Sequence, residues 1–250
     1  MMGLGLQREV VIVHSSDLHL GADYSADQSR PDTLSVLPEV LAAAAAARAD
    51  LVILAGDTFE NNRLPPPLLE RAAGMMSQFS VPIVILPGNH DPLTPDSLYR
   101  RGEFASVPNL CVLGLTVGEA ALFPALDLEV WGKPHLDYAD MSPLSDPRSR
   151  STRWQLAAAH GHYIDGSEEP GRLIASWLIR RDEVTATGAD YVALGHWNRA
   201  ARVGDPEIHA YYSGSPDYAG TVNLVRLKPD GAVAVARAPL RALPSRAGVE

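Results

Sequence analysis

Asp17 and His19, Asp57, Asn89 and His90, His160, and His196 each stand just after a short apolar run of the 250-residue chain, set off from it by a small or turn-forming residue or closing it directly. Together they offer carboxylate, imidazole and amide oxygen without a thiolate, a donor set that suits Mn, Fe or Zn and not an iron–sulfur cluster. Two such ions roughly 3.5–4 Å apart can share one carboxylate and clamp both the attacking and the leaving oxygen of a phosphoryl displacement. Asp57, after the most uniformly apolar of the runs, is the natural bridge.

Bringing these groups together is the work of strands. Leu51-Val52-Ile53-Leu54-Ala55, bounded by Gly56, reads as a strand buried on both faces, and Val10–Val13 and Pro82–Leu86 repeat the design. A helix is expected from about Pro31 to Ala49, where Ala42–Ala47 are strong helix formers, and another over Leu68–Phe79 after a proline-rich loop. The β-α-β-α-β order implies a parallel sheet with right-handed crossovers, and open α/β sheets bind ligands at the end where these polar residues emerge. Beyond Asp91, Leu110–Leu113, Leu126–Trp131, Gln155–Ala159 and Tyr191–Leu194 read as strands and Lys133–Arg153 as mostly loop. His209–Ser213, Val222–Lys228 and Ala232–Ala238, with turn chemistry at Pro229-Asp230-Gly231, read as an antiparallel ending. One α/β domain over residues 1–238 and a poorly ordered tail at 239–250 are expected.

With 46% hydrophobic and 20% charged residues the composition is that of a globular protein, and no apolar stretch approaches the length of a membrane helix, so no membrane partner is expected. Met1–Glu9 lacks a signal-peptide pattern and the single cysteine, Cys111, cannot form an internal disulfide, which points to the cytoplasm. A net charge of −9 opposes nonspecific attraction to phosphate backbones, so a nucleic-acid substrate requires a local basic patch or metal ions.

Taken in order, Asp17-Leu18-His19, Gly56-Asp57, Gly88-Asn89-His90-Asp91, His160 and Gly195-His196 resemble the signature of the calcineurin-like metallophosphoesterases. Within that superfamily, Ser16-Asp17-Leu18-His19-Leu20-Gly21, Gly56-Asp57-Thr58-Phe59 and Tyr212-Ser213-Gly214-Ser215-Pro216 look most like the SbcD-type DNA repair exonucleases, over about residues 10–228. The resemblance implies an α/β fold of two packed mixed sheets flanked by helices. It also implies a metal-dependent phosphodiesterase or exonuclease-like hydrolase with two divalent ions, Mn first and Fe or Zn as alternatives. By the same resemblance one ion is held by Asp17, His19 and Asp57 and the other by Asp57, Asn89, His160 and His196. His90 then protonates the leaving oxygen, with Asp91 as the acceptor that orients it.

The last motif departs from the family: Gly195-His196-Trp197-Asn198 has an amide at Asn198 where Gly-His-x-His would complete the first metal site, which implies weaker binding there. The chain also ends soon after the catalytic core, without the capping domain and docking helices of full-length exonucleases, so an ATPase partner of the SbcC type is not expected.

His162, Trp197, Arg199 and Ser213 are the candidates for substrate contact: Trp197 to stack a base or shape the wall, Arg199 to meet phosphate, Ser213 to line the cleft. His14 reads as a satisfied core histidine, His135 and His209 as solvated or structural, and Trp154 and Trp177 as core. Three functions follow: a nuclease, a hydrolase of small phosphodiesters or nucleotides, and a noncatalytic phosphate-binding module motivated by Asn198.

Overall fold

Five apolar residues in a row, with no polar alternation, are accommodated where both faces of a strand are covered, and the strand at Leu51–Ala55 is covered on both. The computed structural model describes residues 8–22, 34–167 and 176–240. In chain order its strands begin with β1 (Val10–Ser15), β2 (Leu51–Ala55), β3 (Ile83–Leu86), β4 (Leu110–Val112), β5 (Ala120–Phe123), β6 (Leu128–Gly132) and β7 (Trp154–His160). They continue with β8 (His162–Ile164), β9 (Leu178–Arg180), β10 (Tyr191–Gly195), β11 (Ala201–Val203), β12 (Ala210–Tyr212), β13 (Thr221–Leu227) and β14 (Val233–Pro239). The two longer helices are α1 (Val36–Ala46) and α2 (Pro66–Ser77).

One sheet has the order β14-β13-β1-β2-β3-β4, parallel from β1 to β4, and the other β11-β12-β10-β7-β6-β5. Side chains of the first sheet alternate between two cores. Val11, Val13, Val52, Leu54, Ile83 and Ile85 pack with Leu37, Val40 and Leu41 of α1 and Leu69, Ala72 and Met76 of α2. Ile12, Leu51, Ile53, Val84 and Leu86 instead meet Leu156, Ala158, Tyr191 and Ala193 of the second sheet. Each large side chain removed from water contributes roughly 1.5–3 kcal/mol, so the sandwich holds its two sheets in one fixed relation.

The expected parallel β-α-β-α-β unit is present; α2 has the expected length but sits two residues earlier, and α1 stops three residues short of its expected end. Pro66 occupies the first turn of α2, where its missing N–H costs nothing. α1 ends before Arg48, whose φ of 52° breaks the helix, and the expected start near Pro31 lies outside the described residues. The ending is only partly antiparallel: β13 and β14 form the expected hairpin, but β12 lies parallel to β10 in the other sheet. Edge strands β5 and β11 are invisible in the sequence, because short runs with side chains as open as Leu122, 54% exposed, carry little periodic signal. Pro239 closes β14 and Leu240 is buried, so the expected tail starts at least two residues later, and 241–250 lie outside the described residues. Among the described residues no helix is long and apolar enough to cross a membrane.

Candidate active site

β1 and β2 pair in parallel with Ser15 opposite Leu54, and the pairing runs on past both strands. Asp17 N donates to Gly56 O at 3.0 Å, His19 N to Asp57 O at 3.1 Å and Leu20 N to Thr58 O at 3.0 Å, zipping the two loops together so that Asp17, His19 and Asp57 arrive side by side. One strand over, Ala55 opposes Leu86, and Asp57 Oδ1 accepts the backbone N–H of His90 at 2.9 Å. From the second sheet, β7 ends at His160 opposite Gly195, and His160 Nδ1 lies 2.9 Å from Ala55 O. A Cβ on Gly56 would stand 2.0 Å from His160 Nδ1, and one on Gly195 1.9 Å from Ala55 O, so the two sheet ends approach this closely only with glycine at both positions.

The backbone at the site is held in an unfavourable region. Asp17 (φ 54°), His19 (45°), Asp57 (49°) and His196 (104°) all have positive φ, a conformation that costs non-glycine residues on the order of 1–3 kcal/mol and persists where the surroundings over-determine it. The zipped loops supply that determination, as does His196 N, 3.1 and 3.0 Å from the two oxygens of Asp17.

Metal-ligating atoms gather into two groups that share Asp57. Asp17, Asp57 and His160 form a buried inner group and His19, Asp57 and His90 a partly open outer one, the atoms of each lying within 4.8 Å of one another. His160 Nε2 is 3.1 Å from Asp57 Oδ2 and 3.1 Å from Asn89 Oδ1, so the Asn89 amide belongs with the inner group. The ring of His196 packs edge-on to that of His160, centroids 5.3 Å apart. The resemblance implies a different division, with His19 joining Asp17 and Asp57; here the rings of His19 and His90 lie 4.7 Å apart and His19 Nδ1 is 2.9 Å from Glu60 Oε2.

Burial raises the carboxyl of Asp17 above its usual range, and the charge of Asp57 raises it further. Burial would raise Asp57 as well, but the charge and hydrogen bond of His160 outweigh it and hold Asp57 low. In return His160, which burial alone would depress, is held up to about 9 by Asp57 and Asp17. His196 goes the other way, to about 4, through burial and the charge on His160. Among the described residues neither Asp17 nor Asp57 pairs with a lysine or arginine, and the positive charge beside them is the proton of His160. With Nδ1 donating to Ala55 O, loss of that proton presents the Nε2 lone pair beside Asp57 Oδ2 and Asn89 Oδ1. Buried carboxylates, outward-facing imidazole nitrogens and an amide oxygen fit divalent cations that favour oxygen and nitrogen ligands.

Residues 10–200 match the calcineurin-like phosphoesterase family. This chain belongs to that family. As a calcineurin-like phosphoesterase it is 26% identical to the SbcD subunit of the nuclease SbcCD from Bacillus subtilis (strain 168) over 263 residues, 87% of this chain and 66% of that protein. It is also 26% identical to the SbcD subunit of the same nuclease from Escherichia coli (strain K12), over 82% of this chain and 60% of that one. The chain thus spans between 60% and 66% of the length of these relatives. The crystal structure of TT1561 of Thermus thermophilus shares the fold at a TM-score of 0.57 and 11% identity, covering 93% of this chain and 99% of that one.

Several expected roles in this phosphoesterase change once the side chains are in place. Asp91 does not hold His90: its carboxylate accepts Gly88 N (2.7 Å), Phe59 N (3.0 Å) and Tyr99 Oη (2.6 Å), bracing the turn from behind. That carboxyl is pushed up to about 6 by burial and then by the charge of Asp57. The partner of His90 is Glu60, whose carbonyl lies 3.0 Å and Oε1 3.7 Å from His90 Nδ1. Glu60 carries only a weak signal in the sequence, an acid three residues after Asp57. Ser213 is not on the cleft wall but fully buried, its Oγ 2.8 Å from Ser16 Oγ, which in turn donates to Asp17 Oδ2. Asn198 is exposed, in a cleft of about 460 Å³ that also takes in His162, Trp197 and Arg199 beyond His196. There Trp197 donates to His162 Nδ1 at 3.2 Å and stacks on Tyr212 at 4.3 Å, and Arg199 Nε donates to Tyr218 Oη at 3.1 Å. His14 is buried as expected, its Nδ1 2.9 Å from Tyr191 Oη. His135 is structural, Nε2 donating to His160 O at 2.9 Å. Trp177, expected in the core, is half-buried and borders the cleft beside His90.

Proposed function

We propose that this calcineurin-like phosphoesterase is a phosphodiesterase of nuclease type that works with two divalent ions, manganese first among them. The observation that carries this reading is Asp57, a single buried carboxylate shared by two donor groups and, among the described residues, stabilised by no permanent cation. When bound, the ions supply Lewis-acid charge to the phosphoryl oxygens and lower the pKa of the attacking water. Asp17, Asp57, Asn89, His160 and His196 would hold the inner ion, and His19 and Asp57 would take part in holding the outer one.

The remaining chemistry falls to His90. With Nδ1 occupied by Glu60, its Nε2 is the atom left to give a proton to the departing oxygen, and a side chain that is 40% exposed can meet it. Glu60 acts through others: one carboxylate fixes the ring orientation of His19 and lies against that of His90. The relatives named as nuclease subunits favour DNA as substrate. The net charge of −9 favours a small diester or nucleotide as the second reading, since little nonspecific attraction would hold a polyanion.

Metal-stripped protein given bis(p-nitrophenyl) phosphate and Mn, Fe, Zn or Mg in turn tests the reading. Turnover that depends on the added ion is the expected result, with DNA and small diesters then compared directly. Silence with every ion, in protein shown to be folded, would overturn it in favour of a noncatalytic phosphate-binding module.

A further inference from the structure

The cleft on the His90 side of the site encloses about 870 Å³ and joins Glu60, Asn89 and His90 to Trp177 and Tyr138. Both aromatic residues are set up as surfaces and neither as core. Tyr138 is 63% exposed, on a loop between the second sheet's strands β6 and β7. Trp177 is partly open although it has every means of being pinned: its backbone N donates to Asp140 Oδ1 at 2.6 Å, its Nε1 to Ala139 O at 2.9 Å, and its carbonyl accepts His162 N at 2.9 Å. Those bonds hold it at φ 56°, where a bulky residue is strained, and set its ring across those of His135 (5.3 Å) and His196 (5.9 Å). The loop that carries Tyr138 is thus tied to the segment that carries Trp177 through Ala139 and Asp140, so the two rings border the cleft as one unit.

A tryptophan whose backbone and indole N–H groups are both used internally has only its aromatic ring to offer a ligand, and a ring bordering the cleft of a phosphoester site is suited to a planar base. We propose that Trp177 and Tyr138 form a stacking platform for the nucleobase of the leaving nucleoside, so that the substrate class is a phosphodiester whose leaving alcohol carries a base. The assignment to the leaving side rests on the reading of His90 as proton donor, because the platform and His90 border the same cleft. The second cleft, past His196, is then left for the rest of the substrate.

Calorimetric binding of adenosine 5′-monophosphate, ribose 5-phosphate and adenosine to the Mn-loaded protein tests the platform without relying on turnover. The nucleotide is expected to bind roughly ten-fold or more tighter than ribose 5-phosphate, and Trp177→Ala or Tyr138→Ala to shrink that ratio several-fold, while Trp177→Phe keeps most of it. Tyr138→Ala guards against a folding defect, since that side chain is mostly in solvent. Equal binding of nucleotide and sugar phosphate, or a ratio untouched in both alanine variants, overturns the proposal. Adenosine that binds in a Trp177-dependent way while neither phosphate binds would keep the platform and sink the phosphoester reading. Turnover then assigns the side: a dinucleotide should be cleaved faster than its analogue lacking the leaving-side base, and an equal rate would overturn the leaving-side assignment.

Discussion

Asp17, Asp57 and His160 are 2%, 2% and 0% exposed, whereas His19, Glu60 and His90, adjoining them through Asp57, keep 28%, 33% and 40% of their side chains in solvent. The buried group collects charge that has no permanent partner, so its protonation states are set by one another: a depressed Asp57, a raised Asp17 and a His160 held to about 9. The open group is screened and accessible, suited to exchanging a proton with substrate. Asp57 belongs to both. In the proposed phosphoesterase one shared carboxylate would join an inner side that holds charge to an outer side that hands on a proton.

Removing the shared member should have the largest effect. Asp57→Asn is expected to abolish stoichiometric metal binding and lower turnover by roughly 10⁴-fold or more, because both groups lose a ligand. Metal content close to wild type would show that the groups are independent. Next comes the outer group alone: His90→Ala should cost roughly 10²–10⁴-fold in kcat toward a poor leaving group and much less toward p-nitrophenol, with inner metal retained. Equal losses on both substrates would remove His90 as proton donor.

The inner group has a pH signature of its own in metal-free protein. His160 titrates near 9 in the folded chain against an ordinary 6.5, so the folded state binds this proton more tightly than the unfolded one. That stabilisation, on the order of 3 kcal/mol, is complete below pH 6.5 and is lost as pH rises through about 9. Thermal unfolding should therefore weaken across that window, and His160→Gln should flatten the decline; a decline that survives the substitution belongs to another group. Asp91→Asn separates bracing from chemistry, with a destabilisation of roughly 1–3 kcal/mol in chemical denaturation and turnover per folded molecule near wild type. A loss of turnover without a loss of stability would return Asp91 to the mechanism. The smallest effect is expected from Ser213→Ala, which cuts the hydroxyl chain to Asp17: about 1 kcal/mol, read as a several-fold weaker metal affinity.

Much of this is legible from residue types and order. The runs at β1, β2 and β3 announce parallel strands because burial on both faces requires uninterrupted apolar residues, and the polar residues that follow them stand at the sheet's edge by strand length alone. The donor inventory, Asp17, His19, Asp57, Asn89, His160 and His196, is likewise a property of the chain as written. What a linear string cannot hold is which of these side chains face each other. Asp91 is the neighbour of His90 in sequence, yet it points back into the turn, and Glu60 reaches His90 from a different loop because the pairing of β1 with β2 extends past the strand ends. Ser213 reads as cleft wall and is instead buried against Ser16, 197 positions away along the chain. Local periodicity and side-chain chemistry suffice to specify the candidate donor residues and the strands that deliver them, because neither depends on distant parts of the chain. The pairing of Asp57 with His160, of Glu60 with His19 and His90, and the stance of Trp177 come from the packing of two sheets at contact distance, where a few ångströms select one partner among many.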